Sequence, residues 1–312
     1  MAMSPLSAAD DSFHPPADAD PLWTETTWWG FRAADRPLGG MVYTLFRPHL
    51  NVASLIVQVW DDEAVEPWLA PYARTLWHIP YPETDLTACE VGGLSLRCIE
   101  PLGAYRLSYE DRDLLSFDLV YRAMASPYEV PIGGGSGHFD QVCRVTGTVR
   151  LGADEIGIDG PAVRDRSWYV RRDQRTLRAA YTYGVVDDSE HFVAHGRAAP
   201  GAGDESVIVG GYLERGGLRS ALANGTRRVA SRRRGHPDVI EVTATDAAGR
   251  ELSATGRVVA SLASQSTPGM FAWMSMADWE IGGRQGTGED HDVWSPDQLA
   301  ATRAARLGPT PH

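Results

Sequence analysis

The chain has 312 residues, 43% hydrophobic and 22% charged, which is enough apolar material for one large β domain or two ordinary ones. Its formal charge of −12 sets the molecule as a whole against nucleic acid and anionic membranes, so neither is expected as a partner. A membrane-spanning helix needs about 20 consecutive apolar residues, and the sequence has no such run.

Residues 1–20 are rich in Asp, Pro and Ala and lack the basic and apolar stretches of a secretory signal. They are expected to be a disordered lead-in. Cys89, Cys98 and Cys143 are isolated, with no Cys-x-x-Cys spacing, which argues against a disulfide framework and a zinc site and for a reducing, cytoplasmic setting. Short β runs punctuated by Gly, Pro and Asp then follow at 27–33, 41–47, 52–60, 94–99, 104–110, 114–123, 138–151 and 155–168. A second series occupies 177–186, 191–196, 206–213, 225–231, 239–245, 251–262 and 271–279. Several alternate apolar and polar residues, as half-buried antiparallel strands do. Leu151-Gly-Ala-Asp154 and Asp246-Ala-Ala-Gly249 read as hairpin turns. One helix is expected, with Ser295 as cap, Pro296 at its first position and an Ala- and Leu-rich body over 298–306.

The two series echo each other: Glu90-Val-Gly-Gly-Leu94 returns as Glu214-Arg-Gly-Gly-Leu218. The fold class predicted is therefore all-β, two tandem antiparallel barrels packed together with a short C-terminal helix. The expected boundaries are 21–170 and 171–290, with helix and tail over 291–312. Barrels of about eight strands enclose either side chains or one small ligand, which is the route from this pattern to a hydrophobic small-molecule partner.

The densest chemistry lies in Gly137-His-Phe-Asp-Gln141 and Asp159-Gly-Pro-Ala-Val-Arg-Asp-Arg-Ser-Trp168, joined by one long hairpin. Strand alternation puts His138 and Asp140 on one face and Phe139 and Gln141 on the other. On the second strand it puts Asp165 and Ser167 on one face and Arg164, Arg166 and Trp168 on the other. These motifs resemble the signature of the carotenoid 1,2-hydratase/AttH-like family, whose usual run is His-x-Glu-Gln followed by Asp-Gly-x-Gly-x-Arg-Asp-His-Ser-Trp-Gly. Asp140 replaces a usual Glu, Arg166 a usual His, and Tyr169 a common Gly. The resemblance implies two lipocalin-like domains and cofactor-independent hydration or cyclisation of hydrophobic polyenes. In the residues themselves, His138, Asp140 and Asp165 are the acid/base candidates, and Trp168 and Tyr169 offer aromatic faces for a developing cation. A non-catalytic carrier of the same ligand class, or a scaffold, is the alternative.

Other residues carry two readings each. Arg164 and Arg166, in a cluster reaching Arg178, and a second cluster from Arg227 to Arg234, either grip an anionic substrate group or pair with the many carboxylates. Trp279, between Asp278 and Glu280, is a pocket wall or core; His78, beside Trp77, lines a pocket or satisfies a local hydrogen bond. His191 and His195, four apart on a strand, are too far separated to share a metal. No metal and no cofactor is expected; no phosphate-cradling loop is present, and without a nucleophile elbow serine-hydrolase chemistry has no visible nucleophile.

Overall fold

The computed structural model describes residues 6–16, 19–133, 135–172, 178–199, 203–267 and 269–307. Residues 1–5 and 17–18 of the expected lead-in, Gly134, Leu177 and Arg175 of the predicted second series and first arginine cluster, and the tail 308–312 lie outside the described residues. The chain divides into two compact units: Met1–Asp61 with Ala70–Arg171, and Asp62–Leu69 with Arg172–His312. Among the described residues, no helix is long and apolar enough to cross a membrane.

The first unit is a sheet of β1 (Trp23–Arg32), β2 (Gly39–Arg47), β3 (Val52–Trp60), β4 (Tyr72–Pro80), β5 (Ala88–Val91), β6 (Leu94–Glu100), β7 (Ala104–Asp111), β8 (Leu115–Ala123), β9 (Tyr128–Gly133), β10 (Ser136–Leu151) and β11 (Asp154–Val170). Its strand order is β4-β3-β2-β1-β11-β10-β8-β7-β6-β5, with β9 also on β10. The sheet curls around one apolar core that includes Trp29, Phe31, Val57, Leu107, Tyr121 and Val145. Among the described residues its terminal strands, β4 and β5, are not hydrogen-bonded to each other. Tyr72 on β4 reaches across to β7, donating to Asp111 Oδ2 at 2.7 Å, with its hydroxyl 2.6 Å from that of Tyr109.

The long hairpin β10–β11 turns at Gly152-Ala153, where Gly152 takes the positive φ of 58° that such two-residue turns require. Its register pairs His138 with Ser167, Asp140 with Asp165 and Gln141 with Arg164. The two sequence motifs therefore lie side by side, with the face assignments that alternation predicts.

The amino-terminal segment departs from expectation. Rather than a disordered lead-in, residues 6–16 form an ordered part of the first unit, with a short 3-10 turn at Ala8–Asp11 capped by Ser7. Burial explains it: Asp11 is 3% exposed, accepts from the Tyr105 hydroxyl and the Leu102 amide, and pairs with Arg164 at 3.1 Å. Phe13 packs edge-on to Phe46, ring centroids 4.9 Å apart.

The second unit is a closed barrel of β12 (Arg178–Asp187), β13 (Glu190–Ala198), β14 (Glu205–Arg215), β15 (Leu218–Arg233), β16 (His236–Asp246), β17 (Glu251–Thr267), β18 (Met270–Ile281) and β19 (Arg284–Trp294). Closure satisfies both edges of the ladder. Side chains occupy its interior. One end is apolar, with Trp279 fully buried and edge-on to Phe192 at 5.5 Å; Gly184 and Gly256 make room, because a Cβ at either would overlap these rings. The other end is an ion cluster of Arg178, Arg227 and Arg232 around Asp290 and Asp292. Helix α1 (Pro296–Leu307) follows β19 directly. Its cap is reciprocal: the Gln298 amide donates to Ser295 Oγ at 3.2 Å, and the Ser295 amide donates to Gln298 Oε1 at 3.3 Å.

Candidate functional site: one polar face of the first unit and one of the second

In the first unit, β10, β11, β1 and β2 lie side by side, and their register collects a set of polar and aromatic residues on one face. His138 Nε2 is 3.0 Å from Asp140 Oδ1, a contact made two residues along one strand. Asp165 sits opposite Asp140 on β11 and opposite Trp28 on β1. Ser167, opposite His138, shares a hydrogen bond with Thr26 Oγ1 at 2.7 Å and accepts from Arg171 Nη2 at 2.8 Å. Arg171 Nη1 also donates to the Tyr43 hydroxyl at 3.0 Å, and the Tyr43 ring lies 5.8 Å from that of Trp28. Tyr169 stands on this face as well, half-buried, its ring 4.8 Å from the Arg171 guanidinium carbon.

Electrostatics single out His138. Burial works against its imidazolium, but the Asp140 carboxylate, with Asp165 behind it, outweighs burial and a smaller push from Arg171. The His138 pKa is therefore held above the ordinary histidine value. Asp140 is fully buried, while His138 keeps 18% of its side chain exposed. The arrangement presents an imidazole whose protonated form is favoured by a buried carboxylate, with aromatic rings on the same face.

Arg164, Arg166 and Trp168 lie on the opposite face of β11, inside the sheet. Arg164 Nε donates to Gln141 Oε1 at 2.7 Å, and its guanidinium covers the Tyr105 ring at 3.9 Å as well as pairing with Asp11. Arg166 pairs with Glu25 at 2.5 Å and donates to the carbonyls of Asp10 and Ser12. Trp168 stacks on His14 at 3.8 Å and lies over Gly137, where a Cβ would overlap its indole. Expected as substrate-binding residues, these three instead have the surroundings of structural groups that tie the amino-terminal segment into the first unit. The second arginine cluster takes the paired reading too, but inside the barrel and not on an exposed strand face. Trp279 is barrel core for the reason given above. His78 is exposed on β4 with a left-handed φ of 55°, and its nearest aromatic partner is Trp77; the structure does not bring it to His138.

The second unit presents a polar aromatic face that the sequence reading passed over. His291 Nε2 is 2.8 Å from Glu289 Oε2, and the Tyr181 ring stacks between His291 and His195. These residues lie on the side of β12, β13 and β19 opposite the ion cluster. His191 is edge-on to Tyr212 at 5.6 Å, so it and His195 keep separate ring partners. On the first unit, Thr26, Tyr43 and Arg171 were missed as well. Only the pairing of β1 with β11 and β2 links them to His138, and a single sequence does not carry that pairing.

The chain matches the family described as a domain of unknown function, DUF7064, over residues 7–290. It belongs to that family. The match begins at Ser7, so the ordered amino-terminal segment is part of the family domain. No curated protein matches the chain. Among solved structures this DUF7064 protein is similar to a putative AttH from Nitrosomonas europaea, with a TM-score of 0.59, 14% identity, and coverage of 87% of this chain and 91% of that one. It is similar to CghA, with a TM-score of 0.61, 12% identity and 89% of each chain covered. It is also similar to kievitone hydratase from Nectria haematococca, with a TM-score of 0.57, 10% identity, and coverage of 93% and 95%. At such identities the shared property is the fold. That fold is the one the resemblance of the 138–168 motifs implies.

Proposed function

We propose that this protein is a cofactor-independent hydratase or dehydratase of a hydrophobic, isoprenoid- or polyketide-like small molecule, with His138 as its proton-transfer group. The observation that carries the reading is the His138–Asp140 contact at 3.0 Å, on the face that also holds Asp165, Trp28 and Tyr43. Asp140 accepts from Nε2–H, which fixes the ring and its tautomer and leaves Nδ1 as the nitrogen that exchanges a proton with substrate. In the elimination direction the imidazolium gives that proton to a substrate hydroxyl. The C–O bond breaks with its electron pair leaving on water, and the Asp165 carboxylate takes a proton from the adjacent carbon as the double bond forms. Hydration is the same path reversed, and with water excluded the cation can isomerise or cyclise. The aromatic faces of Trp28 and Tyr43 each offer about 0.5–2 kcal/mol to a developing cation. The likeness in fold to a protein named kievitone hydratase supports the reaction class.

The test begins with mass spectrometry of solvent extracts of the purified protein, to identify the molecule it holds. That molecule is then incubated with protein in ¹⁸O-labelled water. Label appears in it with the native protein and falls at least a hundredfold with His138→Gln or Asp140→Asn. A bound molecule that never exchanges oxygen or hydrogen with solvent, with either protein, would make this a carrier and end the catalytic reading.

A further inference from the structure

A cavity of about 300 Å³ opens in the second unit, where the β15–β16 turn and β17 meet the segment Asp62–Leu69. Backbone pairing anchors that segment, with the Ala263 amide donating to the Val65 carbonyl at 2.8 Å. The turn is fixed as well: Arg233 pairs with His236 across it, and Arg232 Nη1 donates to the Gly235 carbonyl at 3.0 Å. Between them Arg234 and Gly235 take φ values of 50° and 93°. Two left-handed residues make the hairpin turn that favours Asn-Gly, so the backbone disfavours an arginine at its first position.

Three groups lining this cavity lack a partner among the described residues: the Arg234 guanidinium, the Asp62 carboxylate and Nε2 of His236. Arg234 is the exception in its cluster, since Arg227, Arg228, Arg232 and Arg233 each pair with a carboxylate. His236 is only 5% exposed. Its Nδ1 lies 2.8 Å from the Pro237 carbonyl and must donate to it, which leaves Nε2 a bare acceptor. Burial lowers the pKa of this imidazole, and Arg233 and Arg232 add to that against the Pro237 bond and Asp238. A buried acceptor without a donor is costly, and the cavity is where a donor can enter.

The mixture of charges narrows the ligand. An anion alone would sit against Asp62 and Glu63, and a cation alone against Arg233 and Arg234. A molecule that carries both charges meets both pairs favourably. Val65 and Ala260 make the rest of the lining small and apolar, while the Ser261 hydroxyl is engaged with Ser275 at 2.9 Å.

We propose that this cavity binds a free α-amino acid with a short aliphatic side chain. Arg234 takes the carboxylate, Asp62 takes the ammonium group, and His236 Nε2 accepts one of the ammonium hydrogens. The aliphatic side chain lies against Val65 and Ala260. Every residue of the site belongs to the second unit, and no step of the His138 chemistry uses it.

Binding is tested on the full chain by calorimetry and ¹⁵N NMR. L-Leucine is titrated beside isocaproate, which lacks the ammonium group, and isoamylamine, which lacks the carboxylate. Leucine is expected to shift the His236 Nε2 resonance and to bind at least about tenfold more tightly than either analogue, the worth of one charge-assisted hydrogen bond. Arg234→Asn removes the guanidinium and suits the left-handed backbone, so the fold is kept. This variant and Asp62→Asn are each expected to bind leucine about tenfold more weakly, with no fall in the urea midpoint. No leucine binding, an unmoved His236 resonance at saturation, analogues that bind as tightly as leucine, or variants that bind it as native protein does would each overturn the proposal.

Discussion

A buried arginine and a buried histidine obey the same rule, that a charge taken out of water must be met by an opposite one. What differs is the face of the strand. On β11 the even-numbered side chains Arg164 and Arg166 meet Asp11 and Glu25 in the interior, and the odd-numbered Asp165 and Ser167 meet the His138 face. Alternation makes that sorting legible in the sequence. Which face is interior is not legible, since it depends on strands far away in the chain, and so the sequence leaves the arginines with two readings, a grip on substrate or pairing with carboxylates. In the barrel, Arg227→Ala would strand the carboxylates of Asp290 and Asp292, and is expected to cost about 3–5 kcal/mol in urea unfolding. A cost below 1 kcal/mol would mean that solvent reaches the cluster. The thiols make a milder case: burial raises those of Cys89 and Cys143 to about 12, so both are expected to resist alkylation at neutral pH until the protein unfolds.

Elements with alternating apolar residues or sharp turn signals were readable, and those without were not. The β10–β11 hairpin was legible through Leu151-Gly-Ala-Asp154 and the runs on either side; helix α1 was legible through Ser295 and Pro296. By contrast β19 runs Arg-Gln-Gly-Thr-Gly-Glu-Asp-His-Asp-Val-Trp, with polar residues on both faces because the barrel stores its ion cluster on one side and the His291–Glu289 pair on the other. Strand β4, mostly exposed, and the short β5 give little periodicity. Gly137 is paired within β10, opposite Pro131 of β9 and Trp168 of β11. There a Cβ meets the Trp168 indole, so Gly137→Ala is expected to destabilise by about 1–3 kcal/mol. Gly160→Ala, with nothing near, serves as the control. Ser295→Ala removes one half of a capping box and should cost about 1 kcal/mol of helix stability, seen as faster hydrogen exchange at the Gln298 amide.

At the scale of the whole molecule, the account turns on two places where charge is buried and one where it is offered. Acid acts on the first. Although burial opposes it, Arg227, Arg178 and Arg232 hold the Asp292 pKa down to about 2. A depressed carboxylate adds stability that is fully present above its unfolded value and is lost as pH falls through the folded one. Asp292 therefore predicts a loss on the order of 2 kcal/mol between pH 4 and pH 2, measurable by denaturant unfolding across that window. His138 works in the opposite sense. Its folded pKa lies above the unfolded value of about 6.5, so its contribution is complete below that pH and fades as pH rises through the folded value. Elimination that needs the imidazolium should fade over the same interval.

That shared interval makes one measurement decisive: the pH titration of the His138 imidazole by ¹⁵N NMR, in native protein and in Asp140→Asn. The account predicts a pKa above 6.5 in the native protein and a clear fall when the carboxylate becomes an amide. A His138 that titrates below the ordinary histidine value, or that ignores the loss of Asp140, would contradict the claim that this pair is built to carry a proton near neutral pH.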